Sequence, residues 1–260
     1  MKNKYEGQEL SLEEIQSRLL DMATVIKNIL EKHSIRYMIT FGSLLGAVRH
    51  GGFIPWDDDF DFFLFDDEYE KAIRILREEL PTDLFLEDGL SEPLYFHSWA
   101  HIKDLNTNAI CEQFPQDNIY KHKGLSIDLY EAVLMDERDV DLYRLNENLK
   151  YREREFQSQV ISKHQYEKFK EDLLSQIRKE EAKVSNMSPK GNVYGLVVNE
   201  RIMFLQDIFP LKEYQFESIS FMGPNDADSM LKKFYGDYMI MPPLEMRHPH
   251  YNKVYVVNKE

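Results

Sequence analysis

Phe41-Gly42-Ser43-Leu44-Leu45-Gly46, followed by Ile54-Pro55-Trp56-Asp57-Asp58-Asp59-Phe60-Asp61-Phe62-Phe63-Leu64-Phe65, decides how this chain is read. A glycine-serine turn leads into a second apolar run whose entrance carries four carboxylates. Side chains along a strand alternate between its two faces. Asp57, Asp59 and Asp61 then share one face, and Asp58, Phe60 and Phe62 the other. Two carboxylates held roughly 5 Å apart at an effective dielectric near 20 repel by about 3 kcal/mol. Such a cluster is tolerable when a divalent cation neutralises it, and hard oxygen ligands suit magnesium or manganese.

Outward from this stretch, the patterning is that of a folded chain of mixed helices and strands. Ser11-Leu12-Glu13-Glu14 forms a capping box, and apolar residues from Leu12 to Leu30 recur at helical spacing, so a helix is predicted to end near His33. The spacing then predicts a strand over 35–41, a short helix over 44–50 and, after Gly51-Gly52, the acidic strand. A helix over 67–80 follows, which Pro81 stops. Strands are expected over 84–87, 95–103, 109–113 and 125–134. From Asp136 to Asn186 charge dominates, and loose helical spacing predicts two antiparallel helices against the sheet. Ser188-Pro189-Lys190-Gly191 breaks them. A helix over 194–206, a strand pair within 214–222 and a short helix over 226–234 complete the reading. The organisation is a catalytic core over 1–135, a helical insertion over 136–190, and a segment over 191–260 that completes the same domain and its pocket.

Composition narrows the function. The chain has 260 residues, 43% of them apolar, which is enough for a sizeable core. Its net charge of −14 argues against binding nucleic acid through general electrostatics. The lone Cys111 excludes an internal disulfide and fits a reducing compartment. A polar N-terminus predicts no signal peptide, and no apolar run approaches the roughly 18 residues that span a bilayer. A cytoplasmic protein is expected, with at most peripheral membrane contact at the inner face of the plasma membrane. The eight histidines show no zinc-type spacing, and no Walker, dinucleotide-binding or nucleophile-elbow motif is present.

Several side chains stand out as candidates. Asp59 and Asp61 lead as metal ligands. Asp57 serves either the metal or the turn after Pro55. Asp58 points away. Asp128 sits in the apolar Leu125-Ser126-Ile127-Asp128-Leu129-Tyr130 run, where an unpaired charge would be costly. It is either a third ligand or the partner of a buried Arg or Lys. Gly42 and Ser43 open a helix whose first amides attract anions, or simply cap it. Arg49 is placed to clamp a phosphate or to pair with an aspartate. Lys103 ends a strand and either meets phosphate or is solvated. Trp56, Trp99, Tyr95, Tyr130 and Tyr238 are aromatic candidates for a cationic head group, or ordinary core residues.

The motif Gly42-Ser43-Leu44-Leu45-Gly46-Ala47-Val48-Arg49-His50-Gly51 running into Phe53-Ile54-Pro55-Trp56-Asp57-Asp58-Asp59-Phe60-Asp61 resembles the LicD family of phosphotransferases. Lys123-Gly124, Ile127-Asp128-Leu129, Tyr235-Gly236-Asp237-Tyr238 and Pro242-Pro243 extend the likeness over nearly the whole chain. The resemblance implies an α+β nucleotidyltransferase-like mixed sheet flanked by helices, distantly related to fukutin-related protein. It implies a metal cluster of Asp59, Asp61 and Asp128, which double as catalytic residues, with Asp57 beside them and Mg2+ (or Mn2+) bound. Gly42, Ser43, Arg49, Lys103, Trp56 and Tyr238 are the substrate-binding candidates. The implied reaction moves a phosphorylated small alcohol, phosphocholine above all, from a CDP-activated donor to a glycan or lipid-linked glycan acceptor. Teichoic acid and lipopolysaccharide precursors are the expected acceptors. Nucleotidyl transfer to a small molecule or protein, and a non-catalytic nucleotide-binding member, stay open as alternatives.

Overall fold

The computed structural model describes residues 7–113, 115–195 and 202–257. Helix α1 (Leu12–Lys32) starts on the capping box: Ser11 Oγ accepts from the Glu14 amide, and Glu14 Oε2 accepts from the Ser11 amide at 2.8 Å. It buries Ile15, Leu19, Met22, Ala23, Ile26, Ile29 and Leu30 along one stripe. Strand β1 (Tyr37–Ile39) feeds α2 (Phe41–His50), then come β2 (Asp61–Phe65) and α3 (Asp66–Glu79). β3 (Leu84–Glu87), β4 (Ala100–Asp104), β5 (Thr107–Ile110) and β6 (Ser126–Asp136) follow. α4 (Val140–Gln157) and α5 (Lys163–Val184) form the charged helical pair. The C-terminal part holds β7 (Asn192–Gly195), β8 (Ile202–Phe204), α6 (Leu205–Ile208), β9 (Lys212–Phe216), β10 (Ile219–Gly223), α7 (Ala227–Tyr235) and β11 (Lys253–Val256).

The main sheet is mixed and runs β1-β2-β6-β4-β3, with β7 on β6 and β8 on β7. Only β2 and β6 pair in parallel; their register sets Asp61 opposite Asp128 and Phe65 opposite Ala132. β6 is long enough to serve two neighbours on its other side. Its first half pairs with β4, which puts His101 opposite Asp128, and its second half pairs with β7. Every residue of β2 is buried, as expected of a central strand covered on both faces. The chain after the helical pair therefore returns to the sheet it left. In the pair, Phe156 stacks on Tyr166 at 5.0 Å, and Lys183 reaches Asp141 at 3.8 Å. The end of α4 meets the start of α5 and the reverse, so the two run antiparallel.

The structure departs from the sequence expectation at several element ends. α2 begins at Phe41, not Leu44, because the Leu44 amide already bonds the Thr40 carbonyl at 3.0 Å. Phe41 takes a left-handed φ of 44° to make that abrupt entry. A bulky residue there costs on the order of 1–3 kcal/mol. Ring contacts to Phe63 (5.2 Å), Tyr130 (5.4 Å) and Phe234 (5.8 Å) hold it in place. The acidic segment joins the ladder only from Asp61. Before it, the Asp58 and Phe60 amides bond the side chains of Asp57 and Asp59, a local alternative to strand pairing. β4 starts at Ala100 rather than Tyr95, since Tyr95 and Phe96 cluster with Tyr120 beneath Tyr151 of α4. Of the expected helix over 194–206, only 205–206 are helical among the described residues. Tyr194 pairs with Leu134 and Met203 in the sheet, and a helix forms only from Leu205. Residues 196–201 of that stretch lie outside the described ones.

Phe60 ties the acidic segment to the core. It is fully buried and meets Phe62, Phe216 and Phe221, each at 5.2 Å. Phe60→Ala is expected to lower the unfolding free energy by about 3–5 kcal/mol, read from urea denaturation.

Candidate active site

One cavity of about 630 Å³ opens beside the junction of β2, β4 and β6. Asp57, Asp59, Asp61 and Asp128 line it, along with Gly42 and Lys103. Asp58 does not. The alternation through 57–61 thus survives although regular pairing begins only at Asp61: Phe60 and Phe62 fill the core while the odd-numbered acids face the cavity. The four carboxylates lie deep enough for burial to dominate their titration. Burial first, and Asp59 second, push Asp57 up to about 7; the same two causes push Asp128 up to about 7. Asp61 is raised well above the carboxylate range by burial, then by Asp59, Asp128 and Asp57. Asp59 is raised by burial against the pull of His250.

Neutralising partners are scarce. Among the described residues no Lys or Arg forms an ion pair with any of these four acids; only His101 approaches Asp128 (3.4 Å) and His250 approaches Asp57 (3.7 Å). A set of hard oxygen donors in a partly buried cavity without Lys or Arg ion pairs fits a divalent metal. The tightest grouping in the site is nevertheless Asp57, Asp58 and His250, whose ligand atoms lie within 4.8 Å of one another. Asp59, Asp61 and Asp128 face the same space without being gathered that closely, as mutual repulsion requires.

Supporting bonds fix the acids. Trp99 Nε1 donates to Asp128 Oδ2 at 3.0 Å, and Tyr130 Oη donates to the same oxygen at 2.9 Å. Trp99 Nε1 also lies 3.0 Å from His101 Nε2. The one indole proton is shared between these two acceptors, while His101 Nε2 also lies 3.4 Å from Asp128 Oδ1 and Nδ1 lies 3.4 Å from Glu87 Oε2. Burial, with Lys103 and His97 nearby, holds His101 well below the usual imidazole range, which keeps it neutral. Ser43 Oγ accepts from the Asp61 amide at 2.9 Å. A Cβ at Gly42 would stand 2.7 Å from Asp57 Oδ2, so a larger residue there would push that carboxylate aside.

The remaining candidates are dispersed. Lys103 lines the cavity with its Nζ 3.9 Å from the buried Glu87. Trp99 and Tyr130 form an aromatic wall at 5.2 Å. Tyr95 is buried in its own cluster. Ser43, Arg49, Trp56 and Tyr238 are not among the lining residues. Arg49 donates to the Tyr238 carbonyl at 2.6 Å and to His50 Nε2, and among the described residues it forms no ion pair with an aspartate. Trp56 lies under Arg247 at 5.1 Å, and Tyr238 Oη donates to Asp228 at 3.0 Å.

Sequence reasoning passed over the C-terminal wall. Asp58 is fully buried and accepts the amides of His250 (2.7 Å) and Tyr251 (2.9 Å), which clamps residues 250–251 onto the cavity. The hydrogen bond to Asp58, opposed by burial and helped by Asp59 and Asp57, raises His250 to about 9. It therefore stands as an imidazolium beside the acids. No spacing in the sequence links these residues, which are nearly two hundred positions apart. The one legible hint was an aspartate predicted to face away from the others.

The chain belongs to the LicD family. The model of the LicD/FKTN/FKRP nucleotidyltransferase domain matches residues 34–188. The lipopolysaccharide cholinephosphotransferase LicD of Haemophilus influenzae is 27% identical over 93% of this chain and 96% of its own length. The ribitol 5-phosphate transferase FKRP of Homo sapiens is 45% identical over 47 residues, which make up 18% of this chain and 10% of that protein.

Two outcomes follow from the site's electrostatics. Asp57 and Asp128 titrate higher folded than free, and so does His250. The folded state holds protons the unfolded chain gives up, so stability falls as pH rises toward and through these folded values. Across pH 6.5 to 9, the interval between the ordinary and the folded His250 values, the metal-free protein should lose melting temperature, and Mn2+ should restore about 3 °C or more. Differential scanning fluorimetry with and without a chelator measures both. Ser43→Ala leaves the buried Asp61 amide unpaired and should cost about 1–3 kcal/mol of stability in urea titrations.

Proposed function

We propose that this chain transfers a phosphorylated small alcohol, phosphocholine in the first instance, from a CDP-activated donor to a hydroxyl of a cell-surface glycan precursor. The observation that carries the reading is a cavity in which buried Asp61 and half-buried Asp57, Asp59 and Asp128, with no Lys or Arg ion pair among the described residues, face Lys103 and an aromatic wall. The relative from Haemophilus influenzae, which spans almost the whole chain, supports phosphocholine as the group and lipopolysaccharide as an acceptor. A teichoic acid precursor would serve the same chemistry. No helix of the described residues is long and apolar enough to cross a membrane, and we place the reaction in the cytoplasm or at the inner membrane face.

In this reading Asp57, Asp59, Asp61 and Asp128 hold Mg2+ or Mn2+, which supplies charge neutralisation and Lewis acidity when bound. The chain's own residues supply position. Trp99 and Tyr130 donate to Asp128 Oδ2, and His101 Nε2 flanks Oδ1 at 3.4 Å. The acceptor oxygen forms a bond to the phosphorus that bears the alcohol; the bond from that phosphorus to the bridging oxygen breaks and CMP leaves. The acceptor proton passes to a cluster carboxylate, a task suited to a group titrating near neutrality. Lys103 lies where it offsets charge on the departing phosphate. The Trp99–Tyr130 wall offers π faces to a quaternary ammonium.

Asp59→Asn and Asp61→Asn should each reduce turnover by on the order of a hundredfold or more while leaving the far-UV spectrum intact. CDP-choline labelled on either phosphorus separates the outcomes. Label from the choline-bearing phosphorus in the acceptor supports the proposal. Label from the nucleoside-bearing phosphorus indicates nucleotidyl transfer instead, and transfer of neither, with no metal-dependent donor binding in calorimetry, indicates a non-catalytic member.

A further inference from the structure

Four titratable residues stand in one row across the main sheet. Asp61 on β2 is opposite Asp128 on β6, Asp128 is opposite His101 on β4, and His101 is opposite Glu87 on β3. Cross-strand partners share a face of the sheet, as do residues two apart on one strand, so Lys103 joins them on that face. Asp61, Asp128, His101 and Lys103 line the cavity, and Glu87 does not. Glu87 is fully buried behind the wall they form. Its Oε2 lies 3.4 Å from His101 Nδ1 and 3.9 Å from Lys103 Nζ. Its Oε1 is buried with no hydrogen-bond partner among the described residues. A buried ion pair adds stability only when it is close and its remaining lone pairs are satisfied. This pair meets neither condition, so stability alone does not account for the carboxylate.

We propose that Glu87 is a positioning residue: from behind the cavity wall its carboxylate holds the Lys103 ammonium, charged, where it meets the phosphates of the donor. The inference rests on the proposed transfer reaction for the identity of that anion. Lys103 is only 8% exposed. An ammonium at that depth without a counter-charge tends to give up its proton. Among the described residues Glu87 is the one carboxylate within ion-pair distance of it. At 3.9 Å the carboxylate attracts the ammonium without taking its protons in hydrogen bonds, which leaves them for an anion in the cavity. Lys123, the other lysine of the lining, already donates to the Asn118 carbonyl. The coupling is visible from the other partner as well. Burial pushes Glu87 up to about 7, and Lys103 is the strongest of the charges that hold it down.

Inorganic pyrophosphate with Mn2+ carries the charge of a diphosphate without nucleoside or alcohol. Calorimetry on the full chain reads its affinity at about pH 8, above the folded value of Glu87. Lys103→Gln should weaken binding about tenfold, the loss of one charge-assisted contact. Glu87→Gln should weaken it about threefold or more, and should have little further effect in the Lys103→Gln background, where no ammonium is left to hold. A merely structural role would add its loss in both backgrounds. Thermal melting checks that each variant folds. If Glu87→Gln does not, Glu87→Asp, which draws the charge back by one methylene, replaces it in both backgrounds, and its weakening should vanish in the second. A Glu87 variant that binds pyrophosphate like the wild type overturns the proposal, as do losses that add in the double variant or a wild type that binds no pyrophosphate. CDP-choline titrated in parallel tests the donor separately. A wild type that binds pyrophosphate and not CDP-choline removes that donor, while the role of Glu87 is decided by the pyrophosphate comparison.

Discussion

Like charge held inside a folded chain is the constraint on which the rest of this structure depends. Four carboxylates share one cavity, and burial raises the titration of every one of them. Left to itself, such a segment would move its acids into water. It does not, because the residue between Asp59 and Asp61 is Phe60, fully buried in a cluster of four phenylalanine rings. Fully burying one such side chain is worth about 1.5–3 kcal/mol, comparable to one close carboxylate repulsion. The core therefore holds the acids in place residue by residue, and the alternation of the backbone decides which side chain meets which environment.

Much of the surrounding architecture reads as support for that arrangement. The left-handed Phe41 turns the chain abruptly into α2, so that Gly42 passes beside Asp57 and Ser43 reaches the Asp61 amide. The parallel pairing of β2 with β6 sets Asp128 opposite Asp61, and β4 adds His101 on the other side of Asp128. Asp58, outside the cavity lining, captures the backbone at 250–251 and closes the wall. Each device is local, and each uses a hydrogen bond or a close approach that one substitution removes.

The extent to which this was legible in the sequence follows from the range of each signal. The capping box at Ser11, the helix over α3 and the strand at β3 depend on neighbours a few residues apart, and their residues announced them. The alternation at 57–61 was readable for the same reason, as was the α+β class of the fold. The start of α2 was not: it depends on Phe41 accepting an unfavourable φ, which only contacts to Phe63, Tyr130 and Phe234 make tolerable. Tyr194 and β8 fall in a stretch that looks helical by composition and are strand because β6 offers β7 an edge and β7 offers one to β8. At the site, Asp59, Asp61 and Asp128 could be singled out by chemistry, whereas His250 and Tyr251 had no local mark. Arg49 and Trp56 illustrate the opposite error of reach: charge and aromaticity drew attention to them, but their partners lie in the 236–249 loop rather than in the cavity.

The net charge of −14 sharpens what the cavity must do under the proposed function. At physiological ionic strength charges separated by more than roughly 8 Å are largely screened, so the acidity of the whole chain matters less than the few groups facing the donor. Those groups are opposed in sign: the acids on one wall, Lys103 and the imidazolium of His250 on others. An anionic diphosphate brought against unneutralised aspartates would be repelled by the same few kcal/mol per pair that separate the aspartates from one another. Cation and donor binding are then thermodynamically linked, each raising the affinity for the other by the same factor. Under the proposed function, the lack of Arg or Lys ion pairs at the four acids among the described residues would make that linkage strong: a lysine already paired to Asp61 would satisfy the acid, and the site would have no differential gain left to give the donor.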